Sequence, residues 1–429
     1  MLLQLQNLTL LRPEDGAIAV HRGDIYIEDG LVRYTAPGRT PHRVIDAQGA
    51  LALPGLVNAH HHIYSALATG LSPGKPLRDF EGILGDMWWR LDQELDEESV
   101  RLCALLAARD CLRCGVTTVF DHHVSVPFVE GSLHTLDREL RQQGVNAVLC
   151  WEATGRYGEE LFACALAQSV SFAAETGRGM LGMHASFTLE EHHLRQVAAA
   201  SPDVPVHIHV AEGAVDEQQC RERYGVSVVE RLRRHGLLRP GSLLVHGCHL
   251  ADDELAAMAA ADVWLAQAVE SNRNNALPPL DLTRALQQNV KLCAGTDGLG
   301  SDVLASIRAA FWQHRLAHRD PDAGWDVAAA MFHGNYELKQ QWGFPLGVRP
   351  DEPADIAIFH YTPAGTVDAA NALGHVLYGL AGSAARWVVQ ADRLSLDESR
   401  PTAPLPEIYQ RREAITRALW NRFIDQERP

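Results

Sequence analysis

The sequence predicts an α/β fold: a (β/α)8, TIM-like barrel with a small β-sandwich built from both chain ends. Three observations lead to it. Eight short β-rich runs follow one another between residues 56 and 298, with helical runs between them. The first fifty residues and a stretch after residue 345 carry strand and turn signals instead. The unusual polar residues collect at the ends of the eight runs, where such a barrel places its chemistry. An open doubly wound sheet is the alternative arrangement of the same units.

In chain order, LLQLQNLTLL alternates as a strand does. GDIYIEDGLVRYTAPG gives two short strands about a DG turn, and HRVIDAQGALALPG ends on Pro54-Gly55. The barrel strands are LVNAHHH (56–62), VTTVFDH (116–122), VNAVLCWEA (145–153), MLGMHASF (180–187), VPVHIHVAE (204–212), SLLVHGCHL (242–250), DVWLAQA (262–268) and KLCAGTDG (291–298). DEESVRLCALLAARDCLRCG has a capping-type start and a glycine stop, as a helix requires. Beyond residue 343, LGVRPDEPADIAIFHY and ARWVVQADRLSL return to strand character, and PEIYQRREAITRALWNRF reads as an amphipathic helix. The expected division is residues 1–53 with 345–400 as the β-sandwich, 54–344 as the barrel and 401–429 as a helical tail.

The bulk numbers narrow the class. The chain has 429 residues, is 46% hydrophobic and carries a net charge of −16, so it can bury a large core and lacks the basic face of a nucleic-acid binder. Eight cysteines in this length do not make a disulfide scaffold. Cys111 and Cys114 form one CxxC inside a helical run and read as buried thiols. The N-terminus has no basic region before an apolar core, as a signal peptide would, and no run reaches the roughly 18 apolar residues of a membrane helix. No membrane partner is expected, and a reducing, cytoplasmic setting fits.

The candidate site assembles strand by strand. Side chains alternate along a strand, so His60 and His62 share one face and His61 takes the other. Strand five offers His207 and His209. His209 lies nearer the C-terminal end and is preferred as the third imidazole, with His207 behind it. Asp297, from strand eight, neighbours strand one once the barrel closes. Imidazole nitrogens and a carboxylate are the donor set of a catalytic divalent metal that keeps a position for water. Zn²⁺ is the default occupant, with Fe²⁺ or Mn²⁺ suited to the same donors. Glu212, three residues after His209, is placed to shuttle protons, and His246 on strand six to hold attacking water or a developing oxyanion. Trp88 and Trp89, in the long segment after strand one, could stack on a planar ring. Arg90 beside them and His122, Glu152 and His184 at strand ends are the remaining candidate substrate contacts. Lysine is scarce: Lys75, Lys291 and Lys339 are the only three. None lies in strand four, where part of the superfamily that the motifs below resemble bridges two metals with a carboxylated lysine, so one metal is expected.

PGLVNAHHH, HIHVAE, LLVHG and GTDG, in that order, with PADIAIF after the barrel, resemble the amidohydrolase superfamily. The branch is that of aminohydrolases and chlorohydrolases acting on heterocycles. Within it, WWRLDQELDEES, FDHHVS, GSLHTL and GTDGLGSD are similar to the SsnA type of aminohydrolase. Position by position, the resemblance implies His60, His62, His209 and Asp297 as metal ligands, with Glu212 and His246 beside them and His61 as packing. Strand seven departs from the SsnA pattern at Gln267, Ala268 and Glu270, which bears on substrate and not on metal. The implied activity is hydrolytic deamination of an amino-substituted purine, pterin or triazine-like heterocycle, by a homodimer or larger homo-oligomer. A cyclic amide hydrolase or chlorohydrolase would use the same site. A non-catalytic metal-bound scaffold would have no use for Glu212 and His246.

Overall fold

The computed structural model describes residues 1–14, 16–399 and 406–426. Of the expected tail, residues 401–405 and 427–429 lie outside the described residues.

Both chain ends build one hydrogen-bonded mixed sheet. Its strands are β1 (Leu2–Glu14), β2 (Ala17–Glu28), β3 (Leu31–Arg33), β4 (Arg43–Asp46) and β5 (Leu51–Pro54) from the start of the chain. The barrel strands β6 (Leu56–His61), β7 (Val116–His123), β8 (Asn146–Trp151), β9 (Leu181–Ala185), β10 (Val206–Val210), β11 (Leu243–His246), β12 (Trp264–Gln267) and β13 (Lys291–Ala294) follow. β14 (Asp355–Phe359), β15 (Ala385–Gln390) and β16 (Arg393–Asp397) then complete the mixed sheet, in the order β16-β15-β14-β5-β1-β2-β3 with β4 on β1. β1 and β2 are much longer than the short strands expected. A register shift between Leu5 and Leu8, where Asn7 takes φ 55°, lets the long hairpin bend without ending.

All eight barrel runs are strands. They pair in parallel as β6-β7-β8 and β9-β10-β11-β12-β13. Parallel bridges Leu149–Gly179 and Ala153–Met183 join one seam, and His61–Asp297 joins the other. The ring therefore closes, and the open-sheet alternative does not hold.

The β13–β6 seam has few ladder bonds, and side chains stitch it. Asn335 donates to the carbonyls of Val57 (2.6 Å) and Ala294 (3.0 Å) and accepts from the Ala294 amide at 2.6 Å. Asn58 donates to Thr296 Oγ1 at 2.6 Å and accepts from the Thr296 amide at 3.1 Å. A Cβ on Gly295 would lie 2.6 Å from the His60 carbonyl oxygen, so only glycine allows this approach. This seam sets His60 and Asp297 side by side.

Below the barrel, buried Asp355 on β14 accepts from Lys339 Nζ (2.6 Å) and Thr117 Oγ1 (2.8 Å), pinning the mixed sheet to the barrel. Lys75 pairs with Asp86 at 2.7 Å and Lys291 with Asp262. All three lysines are thus engaged away from the histidine cluster. The helix Glu97–Arg113 starts on Asp96, whose side chain accepts from the Ser99 amide, and buries Cys111, with Cys114 just beyond it.

Candidate metal centre and substrate cavity

The ligand candidates sit where strands stop. β6 ends at His61, so His60 is its last inward residue, and His62 begins the turn Ile63–Leu67. The Asp121 carboxylate on β7 accepts from the Ile63 amide at 2.7 Å and fixes that turn. His61 faces away: its Nε2 lies 3.4 Å from Ser301 Oγ. His209 is the penultimate residue of β10.

His60, His62 and His209 place one ring nitrogen each within 4.8 Å of the others, and His60, His246 and Asp297 form a second overlapping group. The Nε2 atoms of His60 and His209 face each other at 3.3 Å. Asp297 Oδ1 lies 3.0 Å from His62 Nε2 and 3.4 Å from His60 Nε2. The outward nitrogens are engaged elsewhere. His62 Nδ1 donates to the His122 carbonyl at 2.7 Å, and His60 Nδ1 lies 2.9 Å from His207 Nε2. Such outer bonds hold the Nδ1–H tautomer and turn the Nε2 lone pairs inward. Converging lone pairs and a carboxylate, all buried, repel unless a cation sits among them. The donor set therefore fits a divalent metal.

Electrostatics agree. Burial would lower the His62 pKa, but the Asp297 hydrogen bond and charge outweigh it and raise the pKa to about 9. Burial would raise Asp297, yet its contacts with His60 and His62 hold it well below the carboxylate range. A proton on His62 here does what a metal would do, so metal uptake displaces it. Glu212, two residues past β10, is pushed far above the carboxylate range by burial and then by the Asp297 charge. Its Oε2 lies 3.5 Å from His246 Nε2. His246 takes φ 71° at the end of β11, and its Nδ1 lies 2.7 Å from Asn272 Oδ1. Ser271 Oγ donates to Asp297 Oδ2.

His62, His209, Glu212, His246 and Asp297 line one cavity, while His60 is fully buried and does not line it. Trp88 and Trp89 form part of its wall, and Glu152 and His184 another part. His122 lies behind the wall, where Nε2 donates to the Met183 carbonyl at 3.0 Å and Nδ1 approaches Glu152 at 3.3 Å. Arg90 is turned away: it donates to the Phe423 carbonyl at 2.6 Å and does not line the cavity. A helical turn of Trp89–Asp92 separates successive side chains by about 100°, so neighbours of the Trp pair cannot all face inward.

Sequence reasoning missed Asp92 and Arg156. Arg156 donates to Glu152 Oε1 at 2.8 Å, lies 3.5 Å from Asp92 Oδ2 and stacks over the Trp89 ring at 4.5 Å. Burial, ahead of the opposing Arg156 charge, raises the Asp92 pKa to about 7. Tyr64, Phe80 and Leu84 also line the cavity. Asp92 stands within the WWRLDQELDEES run, where only the Trp pair and Arg90 stand out, and the others lie outside the quoted motifs. The segment Leu84–Trp88 is a π-helical turn, a distortion that recurs at functional sites.

Among solved structures, the chain is similar to a zinc-bound adenosine deaminase from Xanthomonas campestris, with TM-score 0.77, 20% identity and 98% and 99% of the two chains covered. It is also similar to the zinc complex of atrazine chlorohydrolase TrzN from Arthrobacter aurescens TC1, with TM-score 0.76, 20% identity and 97% and 100% covered. These likenesses are of fold. Among curated proteins, the 5-methylthioadenosine/S-adenosylhomocysteine deaminase of Moorella thermoacetica is 30% identical over 68% of this chain and 70% of its own length. That of Pelotomaculum thermopropionicum is 26% identical over 99% of both. The Amidohydrolase family description matches residues 51–382, the stretch that holds every barrel strand and every ligand candidate. With that match across most of its length, the chain belongs to the amidohydrolase family.

Proposed function

We propose that this protein is a metal-dependent deaminase whose substrate is a purine-like heterocycle bearing an exocyclic amine, of the adenine type. One observation carries the reading: His62, His209 and Asp297, clustered with the buried His60, line the same cavity as the buried acid Glu212 and His246. The curated relatives named for deamination of adenine-containing nucleosides support the substrate class. The SsnA likeness of the sequence motifs adds a narrower assignment within the same branch.

His60, His62, His209 and Asp297 would hold one divalent ion, Zn²⁺ by preference. Such an ion lowers the pKa of water and makes a nucleophile available near neutrality. The chain's own groups do the rest. Glu212 takes a proton from water and delivers it to a ring nitrogen. His246 Nε2, its lone pair turned toward the cavity, accepts a hydrogen bond from the attacking water and orients it. Asp297 accepts the second water proton and passes it to the departing amine. Water and amine substrate become the oxo heterocycle and ammonia. Trp88 and Trp89 bracket a planar ring. Glu152 and His184 present polar edges to it.

The domain division at residues 53/54 and 344/345, a cytoplasmic setting and a homo-oligomer belong to the same proposal. Among the described residues no helix is long and apolar enough to cross a membrane.

The test is ammonia release by the Zn²⁺-loaded protein against aminated purines, pyrimidines, pterins and triazines, with Glu212→Gln as control. Release that vanishes in the control supports deamination. Chloride or carboxylate appearing in place of ammonia from halogenated or cyclic amide substrates would overturn it.

A further inference from the structure

Six residues of the cavity wall, Tyr64, Phe80, Leu84, Trp88, Trp89 and Asp92, come from the single segment 63–97. The middle of this segment, residues 68–79, has little regular structure and is mostly exposed. Short, weakly bonded turns of this kind open easily unless something outside holds them. Here the holder is the helix Arg412–Asp425, far away in sequence.

That helix buries Ile415, Leu419 and Phe423, a stripe at four-residue spacing. Its polar groups grip the segment at both ends. Trp420 Nε1 donates to the Leu67 carbonyl at 2.8 Å, five residues after His62. Arg422 Nη2 donates to the Glu94 carbonyl (2.7 Å) and to Asp96 Oδ2 (3.0 Å). Between them, Arg90 lies flat over the Phe423 ring at 4.1 Å and donates to the Phe423 carbonyl at 2.6 Å. A cation on a last-turn carbonyl is favoured by the helix dipole as well as by the bond itself. The same guanidinium reaches the carbonyls of Asp86 (3.2 Å) and Pro73 (3.4 Å). One side chain thus joins the irregular stretch, the π-helical turn and the tail helix.

We propose that the C-terminal helix is a strap for the substrate wall, with Arg90, Trp420 and Arg422 as positioning residues that order segment 80–92. They set how well substrate is bound, not whether metal is held. His60 and His209 lie on strands and Asp297 just past β13, and the strap meets only the far end, Leu67, of the turn that follows His62, whose start Asp121 fixes. The inference rests on the cavity being the substrate site, and it holds for any substrate that uses this wall.

The test uses the full-length, Zn²⁺-loaded protein and three variants: Arg90→Ala, Arg422→Ala and Trp420→Phe, the last keeping an aromatic ring while removing the indole N–H. Amide hydrogen exchange over residues 80–92, zinc content, and KM and kcat with adenosine are measured together. The expected result is exchange about tenfold faster at 80–92 and KM up about tenfold. Zinc content and exchange in β6 and β10 should stay as in the parent. Trp420→Phe should show the mildest change. Unchanged exchange at 80–92 would overturn the strap. So would loss of zinc in parallel, or a fall in kcat at constant KM. If the parent releases no ammonia from adenosine, adenosine is excluded as substrate, and the exchange and zinc measurements still decide the strap.

Discussion

His246 Nδ1 lies 2.7 Å from Asn272 Oδ1, and the Gln267 side-chain amide donates to the His246 carbonyl at 2.6 Å. Gln267, which ends β12, and Asn272, in the short helix Val269–Asn274 after it, thereby hold a histidine at the end of β11. Because an amide oxygen only accepts, His246 carries its proton on Nδ1 and turns the Nε2 lone pair toward Glu212 and the cavity. Asn272→Leu removes the acceptor at similar volume. It should lower kcat about 10- to 100-fold with zinc content unchanged. Steady-state kinetics beside metal analysis checks this.

Glu212→Gln keeps the shape of the side chain and removes its proton traffic. Zinc should remain bound and turnover should fall by about 10²–10⁴. Loss of zinc in this variant would make Glu212 a ligand.

Asp297 touches both His60 and His62, so Asp297→Ala should weaken zinc binding and activity together. Competition with a chelator and an activity assay on the same preparation give the comparison. Full zinc occupancy with activity lost would place Asp297 in proton transfer alone.

Asn335 makes three bonds across the β13–β6 seam, and Asn335→Leu leaves the Val57 and Ala294 groups unpaired inside the protein. The expected cost is about 2–4 kcal/mol in unfolding free energy. Denaturant unfolding measures it, and zinc affinity should fall with it, since this seam aligns His60 with Asp297.

Glu217 lies near the N-terminus of the helix Val228–Arg234, accepting from the Val228 amide at 3.0 Å. Burial first, and then the neighbouring Glu254, raise its pKa from 4.5 to about 8. A carboxyl with a raised folded pKa binds more protons folded than unfolded. Its contribution to stability is full below pH 4.5 and is lost as pH rises to about 8. Thermal unfolding across that window should show this decline, and Glu217→Gln should flatten it.

What the sequence determined by itself follows from short-range rules. Alternation along a strand separates His61 from His60 and His62 without any knowledge of neighbours. Strand counting yields the barrel, and strand polarity sends His209, Glu212, His246 and Asp297 to one end of it. The absence of lysine in strand four bears on metal number in the same local way. Tertiary structure decided the rest. Arg90 stands next to the Trp pair, yet it serves a helix more than 300 residues away, because the tail packs against that turn. Asp92 and Arg156 are ordinary charged residues in sequence and become wall residues only where segments 63–97 and 152–157 meet. Helical segments and irregular loops place a side chain according to what packs on them, and that information lies in contacts between distant parts of the chain.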